Sequence, residues 1–159
     1  MRKAAYSYVP ECPRETVEEM YDSAWSKEGV EAVPKDEYVR WEMEWSFRRY
    51  AVYLDGRLAG VAFVHERTGR DGRAYRDMCF TKTRYLAEER RITFARTIPQ
   101  LMADLDRHER AAIGDAEADA KPLYMHTPDG DGRSKAWFLK CGCVEDEHGL
   151  RCPTWKEVV

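Results

Sequence analysis

Apolar side chains recur at helical steps in the first third of the chain. In PRETVEEMYDSAWSKEG, residues 13–29, Val17, Met20, Tyr21, Ala24 and Trp25 share one face, and Pro13 stands where a helix starts. Gly29 marks its end. Pro34 opens a second helix, KDEYVRWEMEWSFRR, whose aromatic face of Tyr38, Trp41, Trp45 and Phe47 is expected to pack into a core. The other use for such a face is one wall of a substrate groove.

The period then changes to that of strands. YAVYLDGRLAGVAFVHER carries two β-rich runs around Asp55-Gly56, the strongest hairpin signal in the chain. TGRDGR is a second turn, and AYRDMCFT, residues 74–81, a third strand. From Leu86 to His108 the pattern is helical again, with Ile92, Ala95, Ile98, Met102 and Leu105 on one face. Pro99 should kink or split that helix. ERAAIGDAEADAK, residues 109–121, reads as the helix tail followed by a mobile loop, PLYMHT as a short strand, and PDGDGR as a loop. In SKAWFLKCGCVEDEHG, Ser134, Trp137, Phe138 and Cys141 are helically spaced, and Gly142 stands where a left-handed cap would sit. His148-Gly149 turns the chain into a last strand, Leu150 to Val158, whose edge could pair with a second copy in a homodimer. Pro10 and Pro13 leave residues 1–13 extended. The order is ααβββαβαββ, an α/β or α+β sheet flanked by helices.

Composition narrows the function. A net charge of -3 on 159 residues argues against a nucleic-acid binder. No apolar run approaches the roughly 20 residues of a membrane span, and MRKAAYSYVPEC is too polar for a signal peptide, so a cytoplasmic protein is expected. The five cysteines, Cys12, Cys79, Cys141, Cys143 and Cys152, are odd in number and lack C-x-x-C spacing. They read as reduced, mostly buried thiols, with no structural zinc. His126 and His148 could join Cys141 and Cys143 around a metal, but their spacing does not ask for it.

This element order and ending resemble the GNAT fold of acetyl-CoA-dependent N-acyltransferases. The resemblance runs from about residue 14 to the C-terminus, and the whole chain, 1–159, reads as a single GNAT-like domain with a mixed, mostly antiparallel sheet. The closing motif of that family falls here on Asp131, Ser134, Phe138, Gly142 and Cys143; the small residue and the glycine match, and the other three do not. The family's Gln/Arg-x-x-Gly-x-Gly/Ala loop, whose amides hold the CoA pyrophosphate, is replaced by FTKTRYLAEERRITFAR. No glycine stands between Gly72 and Gly114. GNAT-like proteins of short-tailed bacteriophages also lack this loop, and they are similar to this chain at Phe80-Thr81, Arg90 to Phe94, and Phe138-Leu139-Lys140 with Gly142.

The resemblance leaves two readings open. One is a noncatalytic structural or interaction protein of phage or prophage type, in a virion or beside other phage proteins. The other is an enzyme transferring acetyl from acetyl-CoA to an amine of a small molecule or a protein. For the enzyme, the pyrophosphate is expected at residues 81–91, held by Thr81, Thr83, Arg84, Arg90 and Arg91 with Lys82 nearby, and the acetyl carbonyl at the backbone of Met78 to Phe80. Asp77 and Glu66 are the carboxylates expected as general base. Phe138 stands where the family has a phenolic acid, so Tyr124 or Cys141 would have to replace it. Cys79 as an acyl-carrying nucleophile is a third option.

Overall fold

The computed structural model describes residues 5–24, 33–126 and 132–153, without the side chains of 132–134. Seven strands form one sheet in the order β1-β2-β3-β4-β5-β7-β6. All the described pairings are antiparallel except β4 with β5. The chain divides into two units, Met1–His65 with Phe80–Phe94, and Glu66–Cys79 with Ala95–Val159.

In the first unit β1 (Tyr6–Pro10) pairs with β2 (Arg48–Leu54), and β2 with β3 (Arg57–Thr68). Pro10 ends β1 at the sheet edge, where a missing N–H costs no ladder bond. Asp55 and Gly56 both take positive φ, 51° and 81°, as the two-residue hairpin predicted. Every residue from Leu58 to Val64 is buried. Helix α1 (Arg14–Ser23) buries Thr16, Val17 and Met20; residues 25–29 of the predicted helix lie outside the described residues. Val17 and Met20 join Cys12, Ala24, Tyr38, Val39, Ala51, Leu58, Val61 and Phe63 in one apolar cluster.

Helix α2 (Lys35–Trp45) is shorter than the sequence suggests, because Arg48–Tyr50 already belong to β2. The Ser46 hydroxyl and N–H both donate to the Glu42 carbonyl and close its last turn. The expected aromatic core face is corrected as well. Tyr38 is buried, but Trp41, Trp45 and Phe47 are 45%, 70% and 62% exposed. Tyr38, Val39 and Ser46 are buried and Glu42 is half-buried between them, so a carboxylate takes the place expected for an indole.

At the end of β4 (Ala74–Lys82) the chain packs hard against β3. A Cβ on Gly60 would lie 2.7 Å from the Phe80 ring and closer still to the Thr81 carbonyl oxygen. The ring could rotate, but the carbonyl cannot yield. Gly60→Ala is therefore expected to cost about 1–3 kcal/mol, read as a lower urea midpoint at unchanged slope.

Beyond β4 the expected helix from Leu86 opens instead as a π-helical turn, Tyr85–Glu89, and α3 (Arg91–Ile113) follows. Pro99 lies inside α3, which neither splits nor stops there; Ile98, Leu101, Met102 and Leu105 are buried on either side of it. Ile92, expected on that face, is 63% exposed. The predicted mobile loop at 109–121 is a correction too: α3 runs to Ile113, Gly114 turns at φ 88°, and α4 (Asp115–Ala120) follows. Arg110 fixes α4 by reaching Asp106 at 3.0 Å, Asp115 at 3.1 Å and Asp119 at 2.7 Å.

In the second unit β5 (Leu123–Met125) runs parallel to β4. Helix α5 (Gly132–Lys140) ends as predicted, with Gly142 at φ 99° and the Cys143 N–H donating to the Phe138 carbonyl at 3.0 Å. The hairpin β6 (Val144–Asp146) and β7 (Gly149–Arg151) closes the described chain. β7 pairs on both sides, with β5 and with β6, so β6 and not the 150–158 segment is the sheet edge. Residues 154–158 of that expected strand lie outside the described residues.

Candidate functional site

The parallel pair β4–β5 is short. Its register is Arg76↔Leu123, Asp77↔Tyr124 and Met78↔Met125, closed by the His126 N–H donating to the Met78 carbonyl at 2.7 Å. β5 stops at Met125, while β4 continues to Lys82. Side chains alternate along β4, so Arg76 and Met78 are buried while Tyr75, Asp77 and Cys79 are only partly so.

In the second unit Asp77 accepts from Arg67 Nε at 2.9 Å, and His126 Nδ1 lies 3.9 Å from the same carboxylate oxygen. Opposite Asp77, Tyr124 is buried and donates its hydroxyl hydrogen to Asp146 at 2.5 Å. Burial, with the Asp146 carboxylate beside it, pushes the Tyr124 phenol well above its ordinary value. Burial alone would raise the Asp146 carboxyl, but the bonds from Tyr124 and from the His148 N–H outweigh it and hold Asp146 low. Tyr75 stacks on His148 at 4.6 Å, and Tyr124 meets Tyr75 at 5.3 Å edge-on. Gly69 leaves room for His148, since a Cβ there would lie 3.1 Å from Nε2.

The structure thus brings Asp77 and Tyr124 together in register, and with them Arg67, His126, Asp146 and His148. Arg67 and Asp146 carried no signal in the sequence; each is an ordinary strand charge until its partner is known. Glu66 lies on the same strand as Arg67 and is bound to Lys121 at 2.9 Å. Cys79 and Cys141 are half-buried and in no disulfide. Asp71, Glu147 and His148 bring one ligand atom each within 4.8 Å of one another, but both carboxylates are exposed and nothing further there points to a cation.

In the first unit the residues expected to hold phosphate have unequal freedom. Thr83 is buried: its hydroxyl donates to the Leu58 and Ala59 carbonyls, at 2.9 and 3.0 Å, and its oxygen takes the Leu86 N–H at 3.3 Å. Thr83 therefore caps the π-helical turn and ties it to β3. Arg90 is paired with Asp55 and donates to the Tyr85 hydroxyl at 3.1 Å. Those bonds to Asp55 and Tyr85 raise its pKa further. Arg84 reaches the Asp22 carbonyl at 3.3 Å from an exposed position. Thr81 is half-buried, as is Phe80, which packs on Phe94 at 6.0 Å. Arg91 is exposed, at the first position of α3. The turn Thr83–Arg90 is held by Thr83 and by Tyr85, whose hydroxyl donates to the Leu54 carbonyl at 3.3 Å, and needs no glycine. α3 starts just beyond it, at Arg91.

Neither a family model nor a curated protein matches this chain. Solved structures do. The aminoglycoside N-acetyltransferase AAC(6')-Iy, in complex with CoA, superposes with a TM-score of 0.62 at 14% identity over 92% of each chain. The ribosomal-protein-alanine N-acetyltransferase of Brucella melitensis biovar Abortus 2308 matches with a TM-score of 0.55 at 12% identity, over 89% of this chain and 94% of that one. A mutant of the toxin AtaT, bound to the C-terminus of the antitoxin AtaR and to acetyl-CoA, gives 0.58 at 13% identity, over 94% and 95%. The fold is that of the GNAT acetyltransferases. The phage or prophage resemblance finds no support among these neighbours. No helix among the described residues is long and apolar enough to cross a membrane.

Proposed function

We propose that this chain is an N-acetyltransferase that takes acetyl from acetyl-CoA and gives it to an amine of a small molecule or protein. The observation that carries this reading is a fold match, over 92% of the chain, to an acetyltransferase in complex with CoA. The residues present fit the cofactor in a modified way. With no glycine in the β4–α3 segment, the first turn of α3 and the exposed Arg91 would supply the anion site, together with Thr81 and Arg84. Thr83 and Arg90 serve to build the turn. Acetyl-CoA would bring an acetyl group already activated as a thioester, and backbone N–H groups from Met78 to Phe80 would receive its carbonyl oxygen. In the second unit Asp77, steadied by Arg67, and His126 take the proton from the acceptor amine. Tyr124 keeps its own proton for Asp146 and holds the closing hairpin to β5.

The test is acetyl-CoA binding by calorimetry, followed by acetyl transfer to a panel of amines read by mass spectrometry. We expect binding that weakens with salt, because side-chain cations do much of the work. Arg91→Glu should raise the dissociation constant about tenfold or more. Asp77→Asn should leave binding intact and lower kcat by about 10²–10⁴. Absence of binding at millimolar acetyl-CoA would overturn the enzyme reading in favour of a noncatalytic interaction protein.

A further inference from the structure

Two cysteines flank the closing hairpin. Cys143 precedes β6 and Cys152 follows β7, and the hairpin register, Val144↔Arg151, Glu145↔Leu150 and Asp146↔Gly149, places them opposite one another one step further on. The hairpin turns over two residues, Glu147 and His148, so Asp146 and Gly149 form its first hydrogen-bonded pair. Alternation then makes Glu145 and Leu150 a non-hydrogen-bonded pair, Val144 and Arg151 a bonded one, and Cys143 and Cys152 non-bonded again. The backbone agrees: the Cys152 N–H points away, to the Leu123 carbonyl on β5 at 2.8 Å, and the Cys143 N–H to Phe138 at 3.0 Å. Opposed residues at such a position have Cα atoms about 4.5 Å apart and their side chains in closest approach. That falls inside the separation a disulfide spans, about 4.4–6.8 Å.

We propose that Cys143 and Cys152 are an oxidation site, joined under peroxide stress by a disulfide that locks the open end of the β6–β7 hairpin. Both are free thiols in this structure, and each shifts the ionisation of the other. The interaction with Cys152 lowers Cys143 against the effect of its own burial; the same interaction, then burial, raises Cys152. Cys143 is thereby the attacking thiolate and Cys152 the resolving thiol. The oxidant is a hydroperoxide, small enough to reach a buried sulfur. The Cys143 thiol gives its proton to solvent, its thiolate attacks one oxygen of hydrogen peroxide, the O–O bond breaks, and the departing hydroxide takes a proton back from solvent, leaving a sulfenic acid and one water. The Cys152 sulfur then displaces the sulfenic hydroxyl, which leaves with the Cys152 proton as a second water. Two thiols lose two electrons to one peroxide. Cys141 is two residues away but stands at the end of α5, outside the hairpin pairing, and burial followed by the nearby Cys143 raises its thiol.

The experiment is treatment of the full chain with hydrogen peroxide, alkylation of free thiols and non-reducing tryptic mapping. We expect peptide Cys141–Arg151 linked to Cys152–Lys156, reversed by dithiothreitol. Fragment ions cut between Cys141 and Cys143 assign the bond in the wild type itself, and Cys141→Ser should keep the link while Cys143→Ser loses it. Slower amide exchange across residues 144–151 in the oxidised form is expected as well. A bond to Cys141, or two alkylated thiols at 143 and 152 after peroxide treatment, would overturn the proposal.

Discussion

Glu109→Ala will lower the stability of the protein by about 3–5 kcal/mol, the loss expected when one partner of a buried ion pair is removed. Arg76 and Glu109 are 1% and 0% exposed and meet at 3.1 Å. The guanidinium is held from three sides, since Arg76 also donates to the Lys121 carbonyl at 2.7 Å and to the Ala118 carbonyl at 3.0 Å. It therefore joins β4 to α3 and to the end of α4 through one side chain. Without Glu109 the cation stays buried and uncompensated. Arg76→Met is expected to be as damaging, because two carbonyls lose their donor along with the carboxylate. The double variant, Arg76→Met with Glu109→Leu, removes both buried charges and should recover part of the loss, but not the two carbonyl bonds. Urea denaturation of the four proteins measures this. A Glu109→Ala variant within 1 kcal/mol of wild type would show that the pair adds little.

The second large effect is a dependence on pH set by Glu42. Its Oε2 is buried with no hydrogen-bond partner, and His65 Nε2 stands 3.9 Å away. Arg49 faces it too, its guanidinium bonded to the Glu42 carbonyl, the Ser46 hydroxyl and the Cys12 carbonyl. Burial pushes the Glu42 carboxyl from 4.5 to about 7, and Arg49 only partly opposes it. Because Glu42 binds its proton more tightly folded than unfolded, the folded state carries the extra proton between those two values. Stability is then fully present below about pH 4.5, falls as pH rises toward 7, and stays low above it. The full loss is up to about 3 kcal/mol for this one group. Glu42→Gln removes the titration, so it should flatten that slope and be more stable than wild type at pH 8. Denaturant midpoints of both proteins at pH 5, 6, 7 and 8 test it; a wild type with no slope that Gln removes would refute the assignment.

The alternation of apolar and polar positions was enough to read the hairpin at Asp55-Gly56, the turn at 68–73, β4, the cap at Gly142 and the final hairpin, because each depends on local periodicity and turn chemistry. What failed depended on partners far along the chain. Trp41 and Trp45 look like core on any helical plot, and nothing local reveals that Glu42 faces inward while they do not. Residues 109–121 read as a loop because their charges look solvated. The ion pairs of Arg110 with Asp106, Asp115 and Asp119 show those charges holding α4 in place. At the candidate site, Asp77 and Tyr124 were legible as chemistry but not as neighbours, since their meeting rests on the parallel register of β4 with β5. The phosphate side shows the converse. The loss of glycine was plain in the sequence, but the role of Thr83 as a cap could not be told from that of a free hydroxyl.

The π-helical turn at Tyr85–Glu89 also sets the phase of the helix that follows. A π turn holds about one residue more than an α turn, and each residue of an α-helix advances its azimuth by about 100°. Ile92 lies within α3 itself, about 120° round the helix from the buried Ile98, and is exposed for that reason. Within the first unit the turn is thus a phase shifter: it sets the azimuth at which α3 leaves the strand end that Thr83 fixes. A single-residue deletion within it would turn the first residues of α3 by about 100° about the helix axis, while the same deletion in an exposed loop would only shorten a connection.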